Sequence, residues 1–334
     1  MRSEPIGDLL LDSSQTLQRV EVSYEARGML APNRDNVVLV LHGYTSGPDT
    51  ILPVGEQSEG SWRDLIGPGS AIDTNRYYVI CPNALGSTYG TTGAASINPA
   101  TGQPYGSSLP DISMSDVVLS QSLLLDKLGI GQLHAVVGPS FGGCQALQWA
   151  VDQPQRMKGV VAALASFGRP PVNLDQVRAG LARDPRWNGG DYYDGQGNLD
   201  IMVPLRVQTL KSYGVDDILA RSIRDPAERE AVLIERAKDW AKQFDANALL
   251  TIMKIMASYD IESSIDRIRA KLLYVLSRTD HLFPPTLAEQ IMPRLAEEGV
   301  DCTYFEIDSD NGHAASATDA ALWAPVLRDF LDGL

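Results

Sequence analysis

The chain has 334 residues, 44% hydrophobic and 21% charged, which excludes a disordered or fibrous protein and suits about two domains, or one large α/β domain with an insertion. Its 28 Lys and Arg stand against 42 Asp and Glu, a net charge of −14, so no nucleic-acid or membrane partner is expected. Cys81, Cys144 and Cys302 are widely spaced, with no metal-ligand spacing and no disulfide framework. Residues 1–14 carry no basic-then-apolar leader and no apolar run reaches membrane-spanning length, so the expected location is cytoplasmic.

Along the chain, Gln18, Val20, Val22 and Tyr24 alternate with polar residues, the pattern of an antiparallel edge strand. Short runs rich in β-branched residues follow at 37–41, 77–80, 134–137, 158–164, 271–276 and 302–307. Runs of this kind suit parallel strands covered on both faces. Helical periodicity falls between them, at 117–128, 140–151, 287–295 and 317–331. Strands alternating with helices predict an α/β chain with a mostly parallel, doubly wound sheet.

One connection is far too long. Roughly a hundred residues separate Leu164 from Lys271, whereas a crossover needs about a dozen. The segment opens with Pro170-Pro171, and 218–244 is strongly helical. The predicted organisation is a core of residues 1–168 and 268–334, with a helical lid inserted at 169–267 over the sheet's carboxyl edge. The Gly- and Pro-rich stretch 82–110 is a second oversized loop, and such loops are usually functional.

Gly138-Pro139-Ser140-Phe141-Gly142-Gly143 matches G-x-S-x-G, with a buried strand leading in and an amphipathic helix leading out. That context is the nucleophile elbow, a sharp strand-to-helix turn that lifts a serine hydroxyl above the sheet. An ordinary Gly-rich turn is the alternative. The serine needs a base, and four histidines are available. His134 lies within a strand and reads as a core or sheet-end residue. His42 follows the first buried strand, where the backbone matters more: the N–H of Tyr44 could join that of Phe141 as an oxyanion hole. His281 is expected beside the site. His313, on a Gly-containing loop after the last strand, is the best base. Asp280, just past the strand ending at Leu276, sits where such sheets place their ligands. Asp308 and Asp310 are rivals, but lie too close in sequence to His313 to orient its ring easily.

With these residues in place, the chain resembles the homoserine O-acetyltransferase branch of the α/β-hydrolases. The likeness runs through Ile66-Gly67-Pro68-Gly69, Cys81-Pro82-Asn83, Gly90-Thr91-Thr92-Gly93, the Ser140 motif, Gln145-Ala146-Leu147-Gln148-Trp149-Ala150, 184–193 and Asp280-His281-Leu282-Phe283-Pro284-Pro285. It implies an α/β-hydrolase fold, a Ser140, Asp280 and His313 triad, Arg178 as the arginine for the substrate carboxylate, and a homodimer through the lid. The family usually has an Asp directly after the catalytic His; here that residue is Ala314. A lid tyrosine expected in a T-Y-[RK]-S-like segment is Leu210. An ammonium left without its anionic partner costs about 1–3 kcal/mol or more, so these departures lean toward hydrolysis of a small acyl ester or amide. The alternatives are acetyl-CoA-dependent O-acetylation of homoserine or another alcohol, and a catalytically inactive binding protein of the same fold. No metal or redox cofactor is expected; acetyl-CoA is a candidate acyl donor.

Overall fold

Eight strands form the main sheet of the computed structural model, which describes residues 1–53, 60–193 and 200–334. They are β1 (Arg2–Leu10), β2 (Thr16–Arg27), β3 (Val37–Val40), β4 (Tyr78–Pro82), β5 (Leu133–Pro139), β6 (Met157–Ala163), β7 (Lys271–Ser277) and β8 (Cys302–Ile307). Their spatial order is β1-β2-β4-β3-β5-β6-β7-β8. From β4 to β8 every neighbouring pair is parallel, while β1 and β2 run antiparallel at one side.

The expected edge strand at 18–24 is therefore second in the sheet, not outermost, because β1 covers it. The sequence hides β1: only Ile6 and Leu9 are buried there, Pro5 and Gly7 interrupt it, and its register with β2 shifts around Gly7.

Helices α1 (Met114–Lys127), α2 (Phe141–Asp152), α8 (Thr286–Glu297) and α9 (Ala320–Asp332) flank the sheet, with a helical turn at Ala315–Thr318 before α9. Strand alternation feeds both faces. Leu39 and Val136 pack into one core with Leu147 of α2 and Ile291 of α8. Val38, Val40 and Val137 pack into the other with Trp323 and Leu327 of α9. Burial on both faces is why these runs read as continuously apolar. A capping box starts α1, with the Ser113 side chain accepting from the Asp116 N–H and the Asp116 carboxylate accepting from the Ser113 N–H.

The long connection between β6 and β7 holds α3 (Leu174–Leu181), α4 (Met202–Ser212), α5 (Val215–Ala220), α6 (Pro226–Ala241) and α7 (Ala246–Ser258). It is not uniform. Val207, Leu210, Val215, Leu219, Leu233 and Ala237 of α4, α5 and α6 form a small core of their own. Ile252, Ile255 and Met256 of α7 instead pack into the main core. The insertion is tied down over the carboxyl edge by polar contacts: the Tyr44 hydroxyl donates to Thr209 Oγ1 at 3.2 Å, and the Trp240 indole N–H donates to the Thr45 carbonyl at 3.0 Å. No helix among the described residues is long and apolar enough to cross a membrane.

Candidate active site

Ser140 follows the last residue of β5 and precedes the first of α2, and its backbone sits at φ 55°, ψ −121°. A non-glycine residue held there costs about 1–3 kcal/mol, a strain that persists only where the surroundings impose it. They do so through backbone packing: a Cβ on Gly142 would lie 2.0 Å from the Leu41 carbonyl oxygen, and one on Gly138 would lie 2.6 Å from the Gly142 carbonyl. Only glycine lets β3, β5 and α2 approach this closely. The Ser140 hydroxyl makes no capping bond to α2. Its Oγ lies 2.9 Å from His313 Nε2 instead.

His313 is held from its other side by Asp280, with Nδ1 at 2.8 Å from Oδ2. A carboxylate only accepts, so Nδ1 carries the proton and Nε2 is free to accept the Ser140 hydroxyl proton. The ring lies between Tyr213, with centroids 5.0 Å apart, and Phe283, at 5.6 Å. Asp280 is buried, which by itself pushes its pKa up. The His313 charge, its hydrogen bond, and those from the Leu282 and Phe283 N–H groups outweigh that, holding the carboxyl below the ordinary aspartate range. The loops bearing acid and imidazole are joined by Thr279, whose Oγ1 accepts from the Gly312 N–H at 3.1 Å and donates to the Ser309 carbonyl at 2.9 Å.

The rival acids are engaged elsewhere. Asp308 and Asp310 each pair with Arg278 at 2.7 Å, and their side chains are 88% and 70% exposed, far from a buried orienting role. The other histidines separate as clearly. His134 Nε2 bonds the Leu331 carbonyl beside the end of α9, and His281 is exposed. His42 is buried: Nδ1 donates to the Gly43 carbonyl at 2.8 Å, and Nε2 accepts the Ala84 N–H at 3.1 Å. Burial brings its pKa down to about 4, so it is a neutral brace for the loop carrying Tyr44.

Gly43 and Thr45, on either side of Tyr44, line the pocket over Ser140 together with Leu164, Tyr213 and Ala314. Phe141 is the first residue of α2, where a backbone N–H has no acceptor within the helix. A carbonyl carbon attacked by Ser140 would thus meet a hydroxyl with a base behind it, beside a helix N-terminus that favours developing negative charge.

Arg178 is not brought to this pocket. It is exposed on α3 and is absent from the pocket lining. The role of Arg178 came from the family resemblance alone, and by residue pattern it reads as a surface charge of the lid. Of the lid residues the sequence did not single out, Tyr213 lines the pocket, and Arg206 lies behind it without lining the pocket itself. Tyr213 ends the segment containing Leu210, and its phenol, pushed well above its ordinary pKa by burial, packs on His313 and Tyr44. Leu210 itself is wholly buried in the lid's own core, unavailable for any substrate contact. Arg206 is 3% exposed, with its guanidinium 5.0 Å from the Trp240 ring and its charge acting on Tyr213. Among the described residues no cluster of His, Cys, Asp and Glu could hold a metal ion.

Comparison with known proteins gives the family. A family model for the alpha/beta hydrolase fold matches residues 36–320. A homoserine O-acetyltransferase of Pasteurella multocida is 35% identical over 334 residues, covering 94% of this chain and 92% of that protein. Among solved structures, esterase E22 superposes with a TM-score of 0.88 at 28% identity, covering 99% of both chains. A homoserine O-acetyltransferase from Bacillus anthracis superposes at 0.87 with 26% identity, covering 99% of this chain and 96% of that one. On this sequence and fold, the chain belongs to the homoserine O-acetyltransferase-like branch of the α/β-hydrolases.

Proposed function

We propose that the protein is a serine acyltransferase that moves an acetyl group from acetyl-CoA to a small alcohol through an acyl-Ser140 intermediate. The observation that carries it is the unbroken line Ser140–His313–Asp280, with bonds of 2.9 and 2.8 Å at a strand-to-helix turn. In this scheme Ser140 Oγ attacks the thioester carbonyl while His313 Nε2 takes its proton. Asp280 steadies the imidazolium, and the N–H groups of Tyr44 and Phe141 receive the oxyanion. Collapse expels the thiol, protonated by His313. The acceptor hydroxyl then gives its proton to His313 as it attacks the acyl carbonyl, and Ser140 leaves with a proton.

The lean toward hydrolysis yields to transfer here, because the relatives matching nearly the whole chain are named homoserine O-acetyltransferases. In this reading Arg206, rather than the exposed Arg178, meets a carboxylate on the acceptor. Burial makes a guanidinium–carboxylate fork more effective than it is at the surface.

Ester hydrolysis is the second reading, favoured by one position. Ala314, which follows His313, is buried at the pocket and gives an ammonium nothing to bind, and esterase E22 shares the fold over the full chain. Intact mass spectrometry after mixing with acetyl-CoA should show one acetyl group on the protein and none on Ser140→Ala. CoA release is then followed with L-homoserine and with other hydroxy acids, beside acetate release from simple esters. Efficient turnover of acetate esters with no acetylation by acetyl-CoA would replace transfer with hydrolysis. If homoserine is used poorly, Ala314→Asp should raise its kcat/KM by about tenfold, as an anionic partner for its ammonium is restored.

A further inference from the structure

Along β6, Val160 and Ala162 pack into one core while Val161 and Ala163 pack into the other. Strand alternation would hand the next residue, Leu164, to the core that holds Ala162. It goes to neither. Leu164 is 1% exposed, yet it belongs to no apolar cluster among the described residues and lines the pocket over Ser140 instead. Its backbone explains the departure: φ is 51°, a left-handed conformation that costs a non-glycine residue about 1–3 kcal/mol. The turn is pinned on both sides. The Leu164 N–H donates to the Val275 carbonyl at 2.7 Å, and the Ala163 carbonyl accepts the Ser140 N–H at 2.8 Å.

The space this leaves is small. About 20 Å³ lies over Ser140, room for about one water-sized group. The substituents of a carbonyl carbon attacked by Ser140 diverge. In the proposed scheme the oxygen goes to the Tyr44 and Phe141 N–H groups, and the group that leaves or enters sits at His313, which carries its proton. The acyl chain takes the side that remains. Leu164 has the largest aliphatic side chain in the described lining, which is otherwise glycine, alanine, proline, short hydroxyl residues and the Tyr213 and His313 rings.

We propose that Leu164 is the residue that sets acyl-chain length, closing the pocket beyond an acetyl group. This rests on the acyl-Ser140 reading, though not on which acceptor removes the acyl group. It also gives the strained turn a use: a relaxed strand end would send this side chain to the core and leave the acyl side open.

The test varies the acyl chain and the alcohol separately. kcat/KM is measured for p-nitrophenyl acetate, propionate and butyrate, and then for methyl and butyl acetate, with Ser140 acylation followed by intact mass. Ratios are compared between variants, so general damage to the fold cancels. Wild type should lose about tenfold or more for each added acyl methylene, the usual cost of a methylene that a pocket cannot seat. Leu164→Ala should raise the butyrate-to-acetate ratio by about tenfold or more. Leu164→Gly, which accepts the positive φ without strain, should do the same even if the alanine variant folds poorly. The butyl-to-methyl acetate ratio should hold unchanged. Wild type that uses butyrate as well as acetate, or an unchanged acyl ratio in the variants, overturns the proposal. So does a shift in the alcohol series in place of the acyl series, which would put Leu164 against the acceptor. If acetyl-CoA leaves Ser140 unmodified while the esters obey these ratios, acetyl transfer fails and the role of Leu164 stands. If no ester acylates Ser140, both fall.

Discussion

The nucleophile turn and the helical insertion face each other across the same pocket, yet they are held in place by different physics. At residues 138–143 the constraint is backbone against backbone: Gly142 lies against the Leu41 carbonyl, leaving Ser140 at positive φ with its hydroxyl aimed at His313. In the insertion, side chains hold the structure, through the small core of α4, α5 and α6 and a few polar contacts to the Tyr44–Thr45 loop. A backbone-imposed site tolerates almost no substitution. A side-chain-imposed one has more ways to repack around a change.

The sharpest way to break that contrast is at the relay. Asp280→Asn should lower kcat by about 10⁴-fold with the fold intact, because the wrong imidazole tautomer then faces Ser140. Asp308→Asn and Asp310→Asn should lie within about twofold of wild type, since exposed pairs contribute little. Steady-state kinetics on one ester substrate checks all three, and a severe loss at either rival would reassign the acid.

Next in size is the backbone itself. Gly142→Ala places a methyl 2.0 Å from the Leu41 carbonyl, and rigid backbone cannot step aside cheaply. A loss of about 3 kcal/mol or more in urea unfolding is expected, with activity falling too. Near-normal stability would show that β3 and α2 separate more easily than their packing implies.

His42 sharpens the comparison through pH. Its pKa is held at about 4 by burial, against 6.5 unfolded, so the unfolded chain binds the proton first as pH falls. The stabilisation is complete above about pH 6.5 and is lost progressively down to about pH 4, about 3 kcal/mol across that window. His42→Asn should remove that part of the pH dependence. Urea midpoints at several pH values, wild type beside variant, read it directly; parallel curves would mean His42 does not titrate as its burial implies.

The smallest effect tests the insertion. For a carboxylate-bearing acceptor, Arg206→Lys should raise KM by about tenfold, because a point charge replaces a planar fork. Arg178→Lys, on the exposed side of α3, should change KM by less than about twofold. Kinetics with and without a carboxylate on the acceptor separates the two, and a larger effect at Arg178 would return it to the role its family resemblance implies.

The alternation of apolar runs and helical periodicity determined the parallel part of the sheet, because strands buried on both faces leave unbroken hydrophobic stretches. It also placed Ser140, Asp280 and His313 at strand ends, and the structure brings them within hydrogen-bond distance along the carboxyl edge. β1 stayed hidden because an outer strand with Pro5, Gly7 and two buried residues has too little apolar period to see. Only the tertiary structure decided that α7 joins the main core, that Arg206 is buried while Arg178 is exposed, that Leu210 turns inward, and that Tyr213 covers His313. Those are questions of which helix face meets which neighbour. Where an insertion packs partly on itself and partly on the sheet, each helix has two apolar partners to choose from, and its sequence period does not say which one it meets.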